Sequence, residues 1–266
     1  MEVVSIPAQI AIIGGTGVYD PNILSGITDE LITTPYGNVT VKTGTYRNRS
    51  VVFMNRHGDG HTLPPHLVNY RANIAALKKI GVKYILATAA VGSINPAMQP
   101  GHFVLVDQFL DFTKNRQATF FDGGDAGVVH TDMTQPYCPE LRDVLSRAAR
   151  SLRLPSHPVG TYVCTEGPRF ETSAEINMYR LLGGDLVGMT GVPEAPLARE
   201  AEMCYATAAV VTNYAAGISP TNLSHQEVLD IMQQNGANIR NMLLQAVVWI
   251  ETDRRCTCHN SVEPMK

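Results

Sequence analysis

Concentrated positive charge is missing from this sequence. Its 21 Lys and Arg stand against 24 Asp and Glu, a net charge of -3, and no Lys/Arg-rich run occurs. Nucleic acid and anionic membranes are therefore not expected as partners, although a few local donors could still bind a small anion. No apolar run approaches the roughly 20 residues of a membrane span. The first residues lack a basic stretch, a long apolar run and a small-residue cleavage site, so no secretory signal is expected. Cysteine is scarce: an odd set of five, Cys138, Cys164, Cys204, Cys256 and Cys258, is scattered over 266 residues. That pattern points to reduced thiols in the cytoplasm rather than a disulfide framework. Two nucleotide-binding signatures are also incomplete. After Gly15 and Gly17 the third glycine position holds Asp20, which breaks the dinucleotide fingerprint, and no Gly-Lys-Ser/Thr follows to make a phosphate loop of the NTPase type. There are no internal repeats and no interior linker.

What is present is an ordinary globular composition, 44% hydrophobic and 17% charged. Strand-like runs alternate with helical patterns, which predicts a single α/β domain over residues 1–251 with a central mixed sheet flanked by helices. Ile10-Ala11-Ile12-Ile13 reads as a buried first strand. A β-meander is expected from Thr33 to Phe53, with turns at Thr34-Pro35-Tyr36-Gly37-Asn38 and Tyr46-Arg47-Asn48-Arg49. Helices are expected from Pro64-Pro65 to about Ile80, from Glu140 to Leu152, near Ala174–Leu182, near Pro193–Tyr205, and from His225 to Ile250 behind a Ser224 cap. Residues 115–134 read as a long glycine-containing loop, a length usually tied to function or an interface. The polar segment 252–266 reads as a flexible tail.

Five polar stretches each follow an apolar run, so a single shared site is expected at the strand ends. Gly14-Gly15-Thr16-Gly17 could converge backbone N–H groups on an anion. Asn55-Arg56-His57-Gly58 offers a planar guanidinium fork suited to phosphate. Outside those five, Thr88-Ala89-Ala90-Val91-Gly92-Ser93 has small residues that let the backbone approach a ligand. Cys164 to Thr172 leads into a helix whose Thr172 and Glu175 have capping-box spacing. Val187-Gly188-Met189-Thr190 and Val211-Thr212-Asn213 complete the set. A zinc reading of His57, His61 and His66 fails on loose spacing, and the tail set Cys256, Cys258 and His259 sits on a terminus expected to fray. No metal is expected.

Taken in order, five motifs resemble one family. They are Gly14-Gly15-Thr16-Gly17, Arg56-His57-Gly58, Val68-Asn69-Tyr70-Arg71-Ala72-Asn73, Glu166-Gly167-Pro168-Arg169-Phe170 and Gly188-Met189-Thr190-Gly191-Val192-Pro193-Glu194. Together they look like the trimeric purine nucleoside phosphorylase and methylthioadenosine phosphorylase family, from about Ile10 to Trp249. The resemblance implies a homotrimer, a distorted and partly barrel-like mixed sheet, and phosphorolysis of a nucleoside to free purine and ribose 1-phosphate. It implies no metal or organic cofactor, inorganic phosphate being a co-substrate. It also implies that Thr16, Arg56, His57 and Thr190 donate to phosphate, with backbone groups of Ala89 and Ala90. Some methylthio-type members carry threonine where Ala89 stands. Met189 would pack on the ribose, Phe170 and Ala215 would line the substrate site, and His130 would reach a neighbouring subunit's sugar.

The base pocket sets the substrate. A 6-oxopurine presents an N1–H donor, an O6 acceptor and an N7 that gains a proton as the bond breaks. Glu171 can accept from N1–H, and the Asn213 amide can serve O6 and N7 together. These residues match the 6-oxopurine branch, as does His225, placed to reach a 5′-hydroxyl. The methylthioadenosine branch has Asp-x-Asp where this chain has Asn213-Tyr214-Ala215. The expectation is a 6-oxopurine nucleoside phosphorylase acting on inosine and guanosine. A methylthioinosine or methylthioadenosine phosphorylase is the alternative. A reading from another class, a nicotinamide-dependent oxidoreductase or a nucleotide-binding module, rests only on the glycine turn.

Overall fold

Alternation along the central strands separates the two larger of three buried cores among the described residues. In the computed structural model, which describes residues 9–15, 18, 23–58, 60, 62–124, 127–219 and 222–262, β1 (Ile10–Gly14) lies parallel to and between β4 (Arg49–Asn55) and β5 (Tyr84–Ser93). Ile10, Ile12, Val51, Phe53, Tyr84 and Leu86 enter the core shared with α2 (Pro139–Ser151) and α5 (His225–Trp249). Their neighbours Ala11, Ile13, Val52, Met54, Ile85 and Ala87 enter the core shared with α1 (Tyr70–Lys79) and α4 (Gly191–Glu200). Successive strand side chains point to opposite faces, and helices cover both, so these strands read as unbroken apolar runs. Burying each such Ile, Val or Leu contributes about 1.5–3 kcal/mol before entropy is counted.

The expected meander forms as β2 (Ser25–Thr34), β3 (Gly37–Tyr46) and β4, joined antiparallel. Thr34 Oγ1 donates to Gly37 O at 2.7 Å across the first turn. Arg47 and Asn48 both take positive φ at the second, the two-residue turn whose twist matches paired strands.

The sheet branches at β5. One arm runs through β10 (Leu186–Gly188) and β9 (Thr161–Thr165) to β7 (Gln108–Phe112). The other runs through β11 (Cys204–Tyr214) and β6 (Phe103–Leu105) to β8 (Ser156–His157). Val106 and Asp107 alone connect β6 to β7, so the arms are tied back together. The sheet is thus mixed, distorted and partly barrel-like, in line with expectation.

α3 (Ser173–Leu181) carries the expected capping box, with Thr172 accepting from Glu175 N and Glu175 accepting from Thr172 N. Ser224 caps α5, as expected, by accepting from Glu227 N. Three expectations shift. The helix foreseen from Pro64-Pro65 splits into a 3-10 turn, Pro65–Leu67, and α1. Val68 is extended between them, and Asn69 caps α1 by accepting from Ala72 N at 3.0 Å. α4 stops at Glu200 rather than near Tyr205, because Glu202 turns left-handed and Cys204 enters β11. The segment foreseen as a flexible tail packs down through Val262: a 3-10 turn spans Thr257–Asn260, Cys256 and Cys258 are buried, and Arg254 donates to Glu202 O at 3.0 Å.

Candidate active site

One cavity gathers the strand ends. It measures about 190 Å³, far above the roughly 10–15 Å³ that one water needs, so it is ligand-sized. Gly15 follows β1, Arg56 and His57 follow β4, and Thr88 to Gly92 are the end of β5. Phe170 and Glu171 come from the β9–α3 connection, Gly188, Met189 and Thr190 from the end of β10, and Thr212, Asn213 and Ala215 from the end of β11. His225, Val228, Leu229 and Met232 of α5 form the remaining wall with Leu223. The expected residues Arg56, His57, Ala89, Ala90, Phe170, Glu171, Met189, Thr190, Asn213, Ala215 and His225 therefore line a single space. Thr16 lies outside the described residues. His130 is exposed on the long 113–138 connection and does not line this chain's cavity.

Arg56 is held more firmly than its loop position suggested. Its Nε and Nη2 donate to Glu194 Oε2 and Oε1, both at 2.7 Å, and Nη1 donates to Thr88 O at 2.8 Å. Burial works to lower the Arg56 pKa, but the Glu194 charge and hydrogen bonds outweigh it and the net shift is upward. The guanidinium therefore stays charged. Tyr205 Oη donates to Glu194 Oε1 at 2.8 Å, and burial pushes that phenol well above its usual range, which keeps it a donor. A forked pair of this kind leaves two of the five guanidinium N–H groups for a ligand. His57 Nδ1 stands 2.8 Å from Leu63 O. A carbonyl can only accept, so Nδ1 carries a proton, and Nε2 can donate to an anion only when the ring is doubly protonated.

The start of α4 offers no anion nest. The N–H groups of Thr190 and Gly191 donate to Tyr162 Oη at 3.1 and 3.4 Å, and that of Val192 donates to Cys164 Sγ at 3.4 Å. Arg56 is thus the dominant positive charge lining the cavity.

At the residues expected to read the base, a β-bulge matters. The register of β11 against β5 slips between Val211, opposite Val91, and Asn213, opposite Gly92. Thr212 is the extra residue, and so Thr212 and Asn213, neighbours on a strand, both face the cavity. Asn213 is gripped at both ends: Oδ1 lies 2.8 Å from the Thr212 hydroxyl, and Nδ2 donates to Tyr214 O at 2.9 Å. Each end retains one further hydrogen-bonding position. Gly92 makes the room, since a Cβ there would lie 3.4 Å from Asn213 Nδ2 and 3.3 Å from Val187 Cγ1. Glu171 is 9% exposed and accepts from Thr165 Oγ1 at 2.7 Å. Burial raises its pKa, and the Thr165 hydrogen bond partly offsets that. Gly167 is left-handed (φ +67°), and a Cβ there would come within 2.6 Å of Met189 Sδ. Only glycine lets Met189 sit against this connection.

Several supporting residues went unread in the sequence. Glu194 was seen only as the end of a motif. Thr165 and Thr212 fell inside the expected site stretches, but neither was given a role of its own. Arg116, from the long loop, donates to Thr165 O, Glu166 O and Val192 O at 3.1, 2.8 and 2.6 Å, clamping the strand end that carries Glu171. The apolar α5 wall was visible only as helical periodicity.

The profile of the Phosphorylase superfamily matches residues 9–248. The chain belongs to that family. It is 61% identical over 94% of its length to a probable 6-oxopurine nucleoside phosphorylase of Moorella thermoacetica, covering 96% of that relative. It is 54% identical over 96% of its length to the 6-oxopurine nucleoside phosphorylase of Pyrococcus furiosus, covering 98% of it. Among solved structures, methylthioadenosine phosphorylase from Schistosoma mansoni in complex with adenine superposes with a TM-score of 0.89 at 35% identity, over 95% of both chains. The phosphorylase resemblance read from the five motifs is borne out, and the oxidoreductase reading falls away.

Proposed function

We propose that this enzyme cleaves 6-oxopurine nucleosides, inosine and guanosine, with inorganic phosphate to give the free purine and ribose 1-phosphate. The observation that carries it is the presence of buried Glu171 and Asn213 in the same cavity as the charged Arg56. The similarity to relatives named for this activity supports it.

In this reading phosphate is the nucleophile. Arg56, His57, Thr190, the Ala89–Ala90 backbone and Thr16 hold it beneath the sugar, and the fixed charge of Arg56 requires no reorganisation as the bond breaks. The glycosidic bond lengthens first, so the sugar becomes oxocarbenium-like and charge builds on the leaving purine. Asn213 stabilises that charge at O6 and N7, and Glu171 accepts from N1–H. Adenine would turn an unprotonated N1 toward the carboxylate and leave buried groups unpaired, a mismatch that can discriminate by a factor on the order of 10⁴. Met189 packs on the ribose beside Phe170 and Ala215, and His225 takes the 5′-hydroxyl.

The reaction as proposed needs no metal or organic cofactor, and the site is cytoplasmic. The assembly is a homotrimer in which His130 serves a neighbouring subunit; exposed Met178, Leu181 and Leu182 on and after α3 supply an apolar face suited to burial. Light scattering that gave a monomer at working concentration would remove that part.

A second reading, phosphorolysis of methylthioinosine or methylthioadenosine, is favoured by the apolar wall of Leu223, Val228, Leu229 and Met232 around His225. The test is cleavage of inosine, methylthioinosine and methylthioadenosine at equal concentration, with and without phosphate. Fast, phosphate-dependent inosine cleavage with little methylthioadenosine turnover is expected. Preference for a methylthio substrate would move the enzyme to the second reading, and phosphate-independent cleavage would overturn both.

A further inference from the structure

Four cysteines take no part in that chemistry, yet three distant segments bring them together. Cys138 caps α2, Cys204 opens β11, and Cys256 and Cys258 lie on the segment that folds back after α5. All four are buried, and their Sγ atoms lie within 4.8 Å of one another. We propose that Cys138, Cys204, Cys256 and Cys258 form a tetrathiolate site for one structural zinc ion.

The geometry fits. Zinc–sulfur bonds of about 2.3 Å in a tetrahedron place the sulfurs about 3.8 Å apart. Here Cys204 Sγ and Cys256 Sγ stand at 3.4 Å, and no pair exceeds 4.8 Å. The backbone is already fixed around the ligands: Cys138 N donates to Tyr205 O at 2.8 Å, Cys204 N to Lys83 O at 2.9 Å, and Ser261 Oγ to Cys258 O at 3.1 Å. Arg199 Nη1 donates to Cys258 Sγ at 3.4 Å, the outer-sphere donor that a thiolate-rich site with net negative charge calls for. Four buried thiols cannot all ionise without a cation, so uptake would release thiol protons and strengthen with pH. Four sulfurs leave no open position, which makes the ion a staple and not a Lewis acid. It would pin the 254–262 segment to α2 and to the start of β11, the strand whose far end carries Asn213.

The test uses the full chain purified without chelators from zinc-supplemented cells. Elemental analysis should find about one equivalent of zinc per chain. After denaturation in chelator, all five cysteines should alkylate without reductant. Zinc below about a tenth of an equivalent overturns the proposal, as does an unreduced chain that alkylates at fewer than five cysteines with the mass deficit of disulfides. As a second measurement, cobalt reconstitution should give the intense thiolate-to-cobalt absorption of a tetrahedral site, and Cys258→Ser should weaken it while circular dichroism stays native. Wild-type protein that takes up no cobalt after reduction would equally sink the idea.

Discussion

The two walls of the cavity are built on different principles. On the Arg56 side every group is buried and locked: the guanidinium, Glu194, Thr88 O and Tyr205 form one network with distances of 2.7–2.8 Å. On the α5 side the wall is apolar, and its polar member, His225, is exposed at the first residue of the helix. The first wall suits a reactant that never varies, phosphate. The second suits a position where one substrate differs from another. Rigid charge placement supplies rate; a softer, partly open wall sets selectivity at lower energetic stakes.

Breaking the locked wall should have the largest effect. Arg56→Ala is expected to lower kcat/KM for phosphate by about 10²–10³ and, by stranding Glu194, to cost about 3–5 kcal/mol of stability. Steady-state kinetics and urea melts check the two halves separately. An unchanged melt would mean that the pair is not a structural unit.

Next comes Asn213→Asp, at the bulge between the walls. Inosine kcat/KM should fall by about 10²-fold while relative use of 6-aminopurine nucleosides rises. If the ratio of the two activities does not move, Asn213 is not the base reader.

On the soft wall, His225→Leu should raise KM for inosine by about tenfold at most, the worth of one neutral hydrogen bond, and improve methylthioinosine relative to inosine. A loss as large as that of Arg56→Ala would erase the distinction between the walls.

The smallest effect sharpens the electrostatics. Burial raises the Glu171 pKa and the Thr165 hydroxyl holds it partly down. Activity that needs the carboxylate is present above the folded pKa and lost as pH falls through it. Removing the hydroxyl by Thr165→Val raises that pKa further, so the acid limb of kcat/KM for inosine should move to higher pH. A limb that stays put would assign it to another group.

Much of this was legible beforehand. The apolar run Ile10–Ile13, the meander and the capping box of Thr172 with Glu175 are local signals, and local signals survive folding. Arg56, Glu171 and Asn213 stood out because each follows a strand-like run in a recurring pattern. Glu194 could not be paired with Arg56 in advance, because 138 residues separate them and the contact depends on β4 and α4 meeting. The α1 start was misplaced because Pro64-Pro65 is a strong helix-opening signal, while Asn69, the actual cap, looked like part of the helix. The segment 252–262 looked loose because its polar composition conceals Cys256 and Cys258, whose neighbours Cys138 and Cys204 are remote in the chain.

By itself the sequence determined the strands, most helix ends and the chemical kind of each site residue, because periodicity, caps and side-chain functional groups are properties of short stretches. The tertiary structure alone decided which groups touch. The bulge at Thr212 turns Asn213 into the cavity, Glu194 closes on Arg56, and four sulfurs converge at the start of β11. Those outcomes depend on strand register and on helices docking across long chain separations, where the energy lies in contacts that no local stretch contains.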